Sequence, residues 1–177
     1  MDLSSSLNSY DIDSNIINET QLNQIMSWVP LKDSIKEPVV LYSSCRDGFC
    51  LNSLYSKTDS FPGSIILLIK TTENEVFGSF CNESFAGRRS SRFFGTGETF
   101  LFTLNPLMEK YSWTGSTSFF INGTKDYLSI GSGNGFGLYL DDLLTRGRSE
   151  KCYTFNNQPL ALNGDFQCIS VEVIGLS

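Results

Sequence analysis

Histidine is absent from the 177 residues of this chain. That one absence excludes Ser-His-Asp and Cys-His nucleophile activation, imidazole proton shuttles and imidazole metal ligation. The cysteines stand at 45, 50, 81, 152 and 168, an odd number with no C-x-x-C pair and no zinc-type spacing, so neither a metal nor another cofactor is expected. Met1 to Asn15 lack the basic start and apolar stretch of a secretory leader. The thiols are therefore expected to be reduced, in a cytoplasmic setting with a nuclear one as the alternative. The Asn-x-Ser/Thr sequons at Asn18, Asn82 and Asn122 are expected to stay unmodified. Long apolar runs are missing too: the longest is Ile65 to Ile69, against the roughly 18 residues a membrane span requires. No membrane insertion is expected. Basic charge is also scarce, with 13 Lys and Arg against 19 Asp and Glu, a formal charge of -6 and a pI near 4.6. Such a balance argues against direct nucleic-acid or anionic-lipid partners and favours a basic protein surface.

What is present suits one domain, 40% of the residues being hydrophobic. Residues 1–17 read as a disordered Ser/Asn-rich tail and 18–177 as the domain. Leu22, Ile25, Met26 and Val29 fall at i, i+3, i+4 and i+7, the stripe of a helix capped by Asn18 with Gln21 reaching back and stopped by Pro30. Val39 to Tyr42 is a short strand, and Asp47-Gly48 opens a second small helix carrying Leu51, Leu54 and Tyr55 inward. Strands follow at Ser64 to Lys70 and Glu75 to Cys81, joined by a Thr72-Glu73-Asn74 turn. After a polar loop over 82–92 come further strands at Thr99 to Leu104, Ser118 to Ile121, Tyr127 to Ile130, Gly137 to Leu140, Cys152 to Phe155 and Gln167 to Val173. The spacing of the turn residues between them predicts a mainly β fold with short α-helices: a two-sheet antiparallel β-sandwich flanked by helices.

Glycines joined to bulky apolar residues mark two stretches, Phe93 to Phe102 and Ile130 to Asp141. Gly95 and Gly97, and Gly131, Gly133, Gly135 and Gly137, are read as structural positions in tight loops that lead into strands. A β-branched residue at Gly135 is accordingly expected to lower the melting temperature. The second run lacks the Gly-Lys-Ser/Thr end of a P-loop and the G-x-G-x-x-G spacing of a dinucleotide site. Glu98, between Gly97 and an apolar strand, is expected to pair with Arg146 or Arg148. Asp141 and Asp142 should point to opposite faces of a strand, which argues against a carboxylate pair. Cys45, beside Arg46, is read as a small buried residue rather than an activated thiolate. Arg88, Arg89 and Arg92 form the dense basic cluster. With Ser132 and Asn134 of the glycine turn they are the candidate partner-binding residues, because loops on a rigid sandwich carry recognition. No catalytic residue is assigned.

Leu41-Tyr42-Ser43-Ser44 with Asp47-Gly48, Val76-Phe77-Gly78, Phe94-Gly95-Thr96-Gly97-Glu98-Thr99-Phe100, Trp113-Thr114-Gly115 and Phe119-Phe120 closely resemble the TLDc domain of the oxidation-resistance proteins. Gly135-Phe136-Gly137-Leu138-Tyr139-Leu140-Asp141 and Gly147-Arg148-Ser149 through Asn157 extend the resemblance, which runs from about Thr20 onward. It adds Gly147 and Asp141 to the structural motif. It implies a helix-flanked β-sandwich and a non-enzymatic role in oxidative-stress resistance. As partner it implies the vacuolar-type proton-pumping ATPase, on whose cytosolic sector the domain docks. Tyr139 stands where the family usually has Trp, and Cys45 and Cys50 stand where Ser-like residues are common. The LysM and TBC modules of larger relatives are not seen, so a nearly bare, monomeric domain is expected. The alternatives are a thiol-dependent peroxide-handling protein and a transcription-linked nuclear cofactor.

Overall fold

The computed structural model of the protein describes residues 10–177. Helix α1 (Glu19–Trp28) begins at Asn18, whose side-chain oxygen accepts the Gln21 N–H at 2.9 Å while the Gln21 side chain accepts the Asn18 N–H at 3.0 Å. This reciprocal cap satisfies two backbone donors that the first turn leaves free. The apolar stripe then buries Leu22, Ile25 and Met26. Pro30 leads into a single turn, α2 (Leu31–Ser34), followed by strand β1 (Pro38–Ser43), the turn α3 (Ser44–Asp47) and helix α4 (Leu51–Thr58), which turns Leu51, Leu54 and Tyr55 inward.

Strands β2 (Ile65–Thr71), β3 (Val76–Cys81), β4 (Phe100–Asn105) and β5 (Glu109–Tyr111) form a meander. The strands β6 (Ile121–Gly123), β7 (Tyr127–Ile130), β8 (Leu138–Asp141) and β9 (Arg146–Arg148) form a second. Strand β10 (Asp165–Leu176) belongs to both. Its start pairs with β9 over Asp165 to Gln167, and the rest lies between β2 and β1, from Cys168 opposite Thr71 to Gly175 opposite Ile65. The register shifts between Cys168 and Ser170, a bulge that lets one strand turn from one sheet into the other. The expected two-sheet antiparallel sandwich with flanking helices is the fold observed: sheet A runs β5-β4-β3-β2-β10-β1 and sheet B runs β10-β9-β8-β7-β6.

Side chains alternate across β2, so Ile65, Leu67 and Ile69 enter the core between the sheets while Ile66 and Leu68 enter a second core under α1. This two-faced burial explains the longest apolar run of the sequence. The inter-sheet core also holds Phe77, Leu101, Ile130, Leu140 and Phe155, and the second core holds Leu22, Ile25, Phe80, Phe102 and Ile174.

Several expectations change. Of the segment read as a disordered tail, residues 10–17 lie against sheet A, with Ile16 and Ile17 each 7% exposed; burying two isoleucines contributes about 1.5–3 kcal/mol apiece toward holding this irregular segment in place. Residues 1–9 fall outside the described ones. The 82–92 loop contains a 3-10 turn (Phe85–Arg89) that buries Phe85 completely in the inter-sheet core. Cys152 to Phe155 is a turn, not a strand, and of Ser118 to Ile121 only Ile121 is in a strand. Glu98 pairs with neither Arg146 nor Arg148: Lys32 Nζ on α2 reaches it at 2.8 Å, because the start of β4 faces the α1–α2 side of sheet A. Arg148 instead meets Asp165 across β9 and β10 at 2.7 Å.

Candidate functional site

The basic cluster divides in two. Arg88 lies over Asp59 at the end of α4, with Nη1 at 2.5 Å and Nη2 at 3.0 Å from its carboxylate oxygens; it also donates to the Phe85 carbonyl at 2.9 Å. Its guanidinium carbon stands 3.9 Å above the Tyr55 ring. Both partners of this pair are mostly covered, at 15% and 13% exposure. Arg89 shares Asp59 Oδ2 with Arg88, reaching it at 2.5 Å from an exposed position. Arg88 and Arg89 thus clamp the 82–92 segment to α4; Arg88 is mostly covered, which departs from the expectation that it faces outward to a partner, whereas Arg89 stays exposed. A bidentate, half-desolvated pair stacked on an aromatic ring is a structural device.

Arg92 points elsewhere. It lies 5.6 Å from the centroid of the Phe93 ring, and Phe93 packs on Phe119 at 4.8 Å. The Phe119 carbonyl accepts the buried Thr154 hydroxyl at 3.3 Å, which also reaches the Ser132 carbonyl at 3.0 Å; the Ser132 N–H returns to Thr154 Oγ1 at 3.2 Å. Tyr153 N–H donates to the Gly133 carbonyl at 3.0 Å, and Thr114 Oγ1 donates to the Tyr153 carbonyl at 2.9 Å. These bonds bring Phe119, Ser132, Gly133 and Tyr153 together; Arg92 adjoins them through Phe93, and exposed Asn134 follows Gly133 in the same turn. Phe119 is 41% exposed and Tyr153 57%. Composition alone did not single out these two aromatics; an aromatic flanked by polar turn residues was the available signal.

The glycines hold this surface in shape. Gly131 has φ +79°, and a Cβ there would stand 2.7 Å from the Phe155 ring and 2.9 Å from Cys152 Sγ. Gly97 lies directly beneath the Trp113 ring, which leaves no room for a side chain. Gly95, Gly133 and Gly135 also take positive φ, whereas Gly137 does not and packs against Leu101 and Cys152. Gly147 lies under the Phe166 ring, and Asp141 Oδ1 accepts the Thr145 and Arg146 N–H groups, closing the β8–β9 turn. Asp142 is exposed, and no carboxylate pair forms there.

A cleft of about 790 Å³ opens beside β8, β9 and the start of β10, lined by Phe136, Tyr139, Arg146, Arg148, Asp165 and Glu73 among others. Its charges are of both signs, and it contains no nucleophile set against a base. Among the described residues no three His, Cys, Asp or Glu side chains are grouped to hold a metal ion, and no helix is long and apolar enough to cross a membrane.

All five cysteines are free thiols. Cys45 is exposed on α3, correcting its reading as buried. Cys50 is half-buried, and the backbone N–H groups that start α4, Ser53 first, hold its thiol below the ordinary value. Burial pushes Cys81 and Cys168 up to about 12 and raises Cys152 as well. A disulfide-exchange reagent at pH 8 is expected to titrate Cys45 and Cys50 in a fast phase and the other three only after denaturation. Five fast thiols in the native protein would contradict the burial.

A family model described as the TLDc domain matches residues 10–177. The chain is 42% identical over 133 residues, 75% of its length, to nuclear receptor coactivator 7 of Gallus gallus, and covers 14% of that protein. It is 35% identical over 161 residues, 90% of its length, to oxidation resistance protein 1 of Xenopus tropicalis, and covers 18% of it. To the GTPase-activating protein skywalker of Drosophila melanogaster it is 34% identical over 167 residues, 85% of its length, covering 28%. It thus spans less than a third of the length of each of these relatives.

Proposed function

The chain belongs to the TLDc domain family, and from that premise we propose that it is a non-enzymatic interaction module in oxidative-stress resistance that binds the cytosolic sector of the vacuolar-type ATPase. The observation that carries this reading is the loop surface on which Arg92, Phe119, Tyr153 and Asn134 stand together on a hydrogen-bonded base. An arginine beside exposed aromatics is the composition of an interface centre. The oxidative-stress role comes from the name of the oxidation resistance relative, and the ATPase from the resemblance of the motifs. Against the thiol-peroxidase alternative stand the burial of Cys81, Cys152 and Cys168 and the absence of histidine as a base.

Arg88 and Arg89 hold α4 to its neighbour, so reversing all three arginines would alter stability along with recognition. The separating variant is Arg92→Glu with Phe119→Ala. It is expected to weaken association with the purified peripheral sector of the vacuolar ATPase about tenfold, with the melting temperature unchanged. Wild-type affinity in this variant would move the contact to another surface. Failure of the wild-type protein to bind that sector at low and at physiological salt would overturn the reading itself.

A further inference from the structure

Residues 10–17 form an irregular strap across the outer face of sheet A, and beneath it lies a buried carboxylate, Glu172 of β10, with no exposed surface. Both of its oxygens are taken by the strap. The Ser14 hydroxyl donates to Oε2 at 2.6 Å, and the Asn15 N–H donates to Oε1 at 2.7 Å. Ser14 Oγ in turn accepts the N–H groups of Ile16 and Ile17, each at 3.1 Å, which aims both isoleucines at the second core. The strap's other polar tie is a Tyr10 hydroxyl bond to the Ser34 carbonyl at 3.3 Å.

We propose that Ser14 is a phosphorylation site whose modification releases the strap from sheet A. Besides the two buried isoleucines, strap docking rests on a neutral hydroxyl and an amide N–H that both donate to a buried anion. In the transfer, the Ser14 O–H bond gives way to an O–P bond, the terminal phosphoryl group leaves ATP as ADP departs, and the proton passes to the kinase's base. The product carries a charge of about -1.5 to -2 and no hydroxyl proton. It can no longer donate to Glu172 and sets a second anion against a carboxylate that has no exposed surface of its own. The neighbouring cation, Arg46, is already forked onto Asp47 and bonded to the Leu41 carbonyl. The surroundings suit an acid-directed kinase: Ser14 lies in non-regular chain three residues after exposed Asp11 and one after exposed Asp13.

The site is separate from the loop surface, and its test does not involve the ATPase. The whole chain is incubated with casein kinase 1 and ATP, and the same protein is also prepared with phosphoserine encoded at position 14. Phosphate is expected at Ser14 by mass spectrometry, and hydrogen exchange at the Ile16 and Ile17 amides is expected to accelerate at least tenfold. Ser14→Ala, which removes one bond and adds no charge, is expected to accelerate it far less. Glu172→Gln carrying phosphoserine is expected to regain most of the protection, because the repelling charge is gone. Phosphate placed only on other serines would overturn the assignment, and so would protection of Ile16 and Ile17 that is unchanged in the encoded phosphoserine protein.

Discussion

Arg88→Glu is expected to lower the melting temperature by roughly 10 °C. The substitution replaces a mostly covered, bidentate pair with two facing carboxylates, and truncating one partner of such a pair costs about 3–5 kcal/mol. In a domain of this size 1 kcal/mol corresponds to about 2–4 °C. The loss extends beyond charge, because the guanidinium covers the Tyr55 ring and satisfies the Phe85 carbonyl. Arg89→Glu removes a pair whose arginine is 65% exposed and is expected to shift the midpoint by only a degree or two, as solvent-screened pairs are worth about 0–1 kcal/mol. Thermal unfolding followed by circular dichroism measures both. Equal shifts in the two variants would show that the difference in burial carries no weight.

Gly131→Val is the second large effect, expected to cost about 2–6 kcal/mol from two independent sources. A β-branched residue at φ +79° is strained by about 1–3 kcal/mol. Its side chain must also displace Phe155 and Cys152 from a filled core, about 1–3 kcal/mol more. Gly115→Ala separates the two sources. Gly115 has φ +80° with no atom within 4 Å of the missing Cβ, so it should show the backbone strain alone, on the order of 1 kcal/mol. Denaturant melts of the two variants check the difference. A Gly131→Val protein no less stable than Gly115→Ala would mean that Phe155 gives way freely.

Helix α1 was legible in the sequence because both of its determinants are local: an apolar stripe at helical spacing and a cap whose two partners, Asn18 and Gln21, are three positions apart. The β2–β3 hairpin was legible for the same reason. Strands β5 and β9 were not. Each has three residues, Glu-Lys-Tyr and Arg-Gly-Arg, with no apolar alternation, and each exists because a neighbouring strand offers it backbone partners. The candidate surface divided along the same line. Its glycine turn was readable from composition, whereas the separation of Arg92 from Arg88 and Arg89 depends on Asp59, about thirty positions away in the chain. Ion-pair partners at that distance leave no periodic trace. Lys32 and Glu98, 66 positions apart, escaped the sequence reading in the same way.

Strand β10, shared by the two sheets, has a bearing on how the chain acquires its fold. Of the described strands it is made last, yet β1 pairs with β10 and with no other strand, Pro38 finding its partner in Leu176. The first strand must therefore remain unpaired while more than a hundred residues are synthesised, and the two meanders have no backbone ladder joining them until β10 arrives. Contacts of such long sequence separation close slowly. On the ribosome this protein should consequently remain protease-sensitive until β10 clears the exit tunnel and then become resistant in one step, both sheets together.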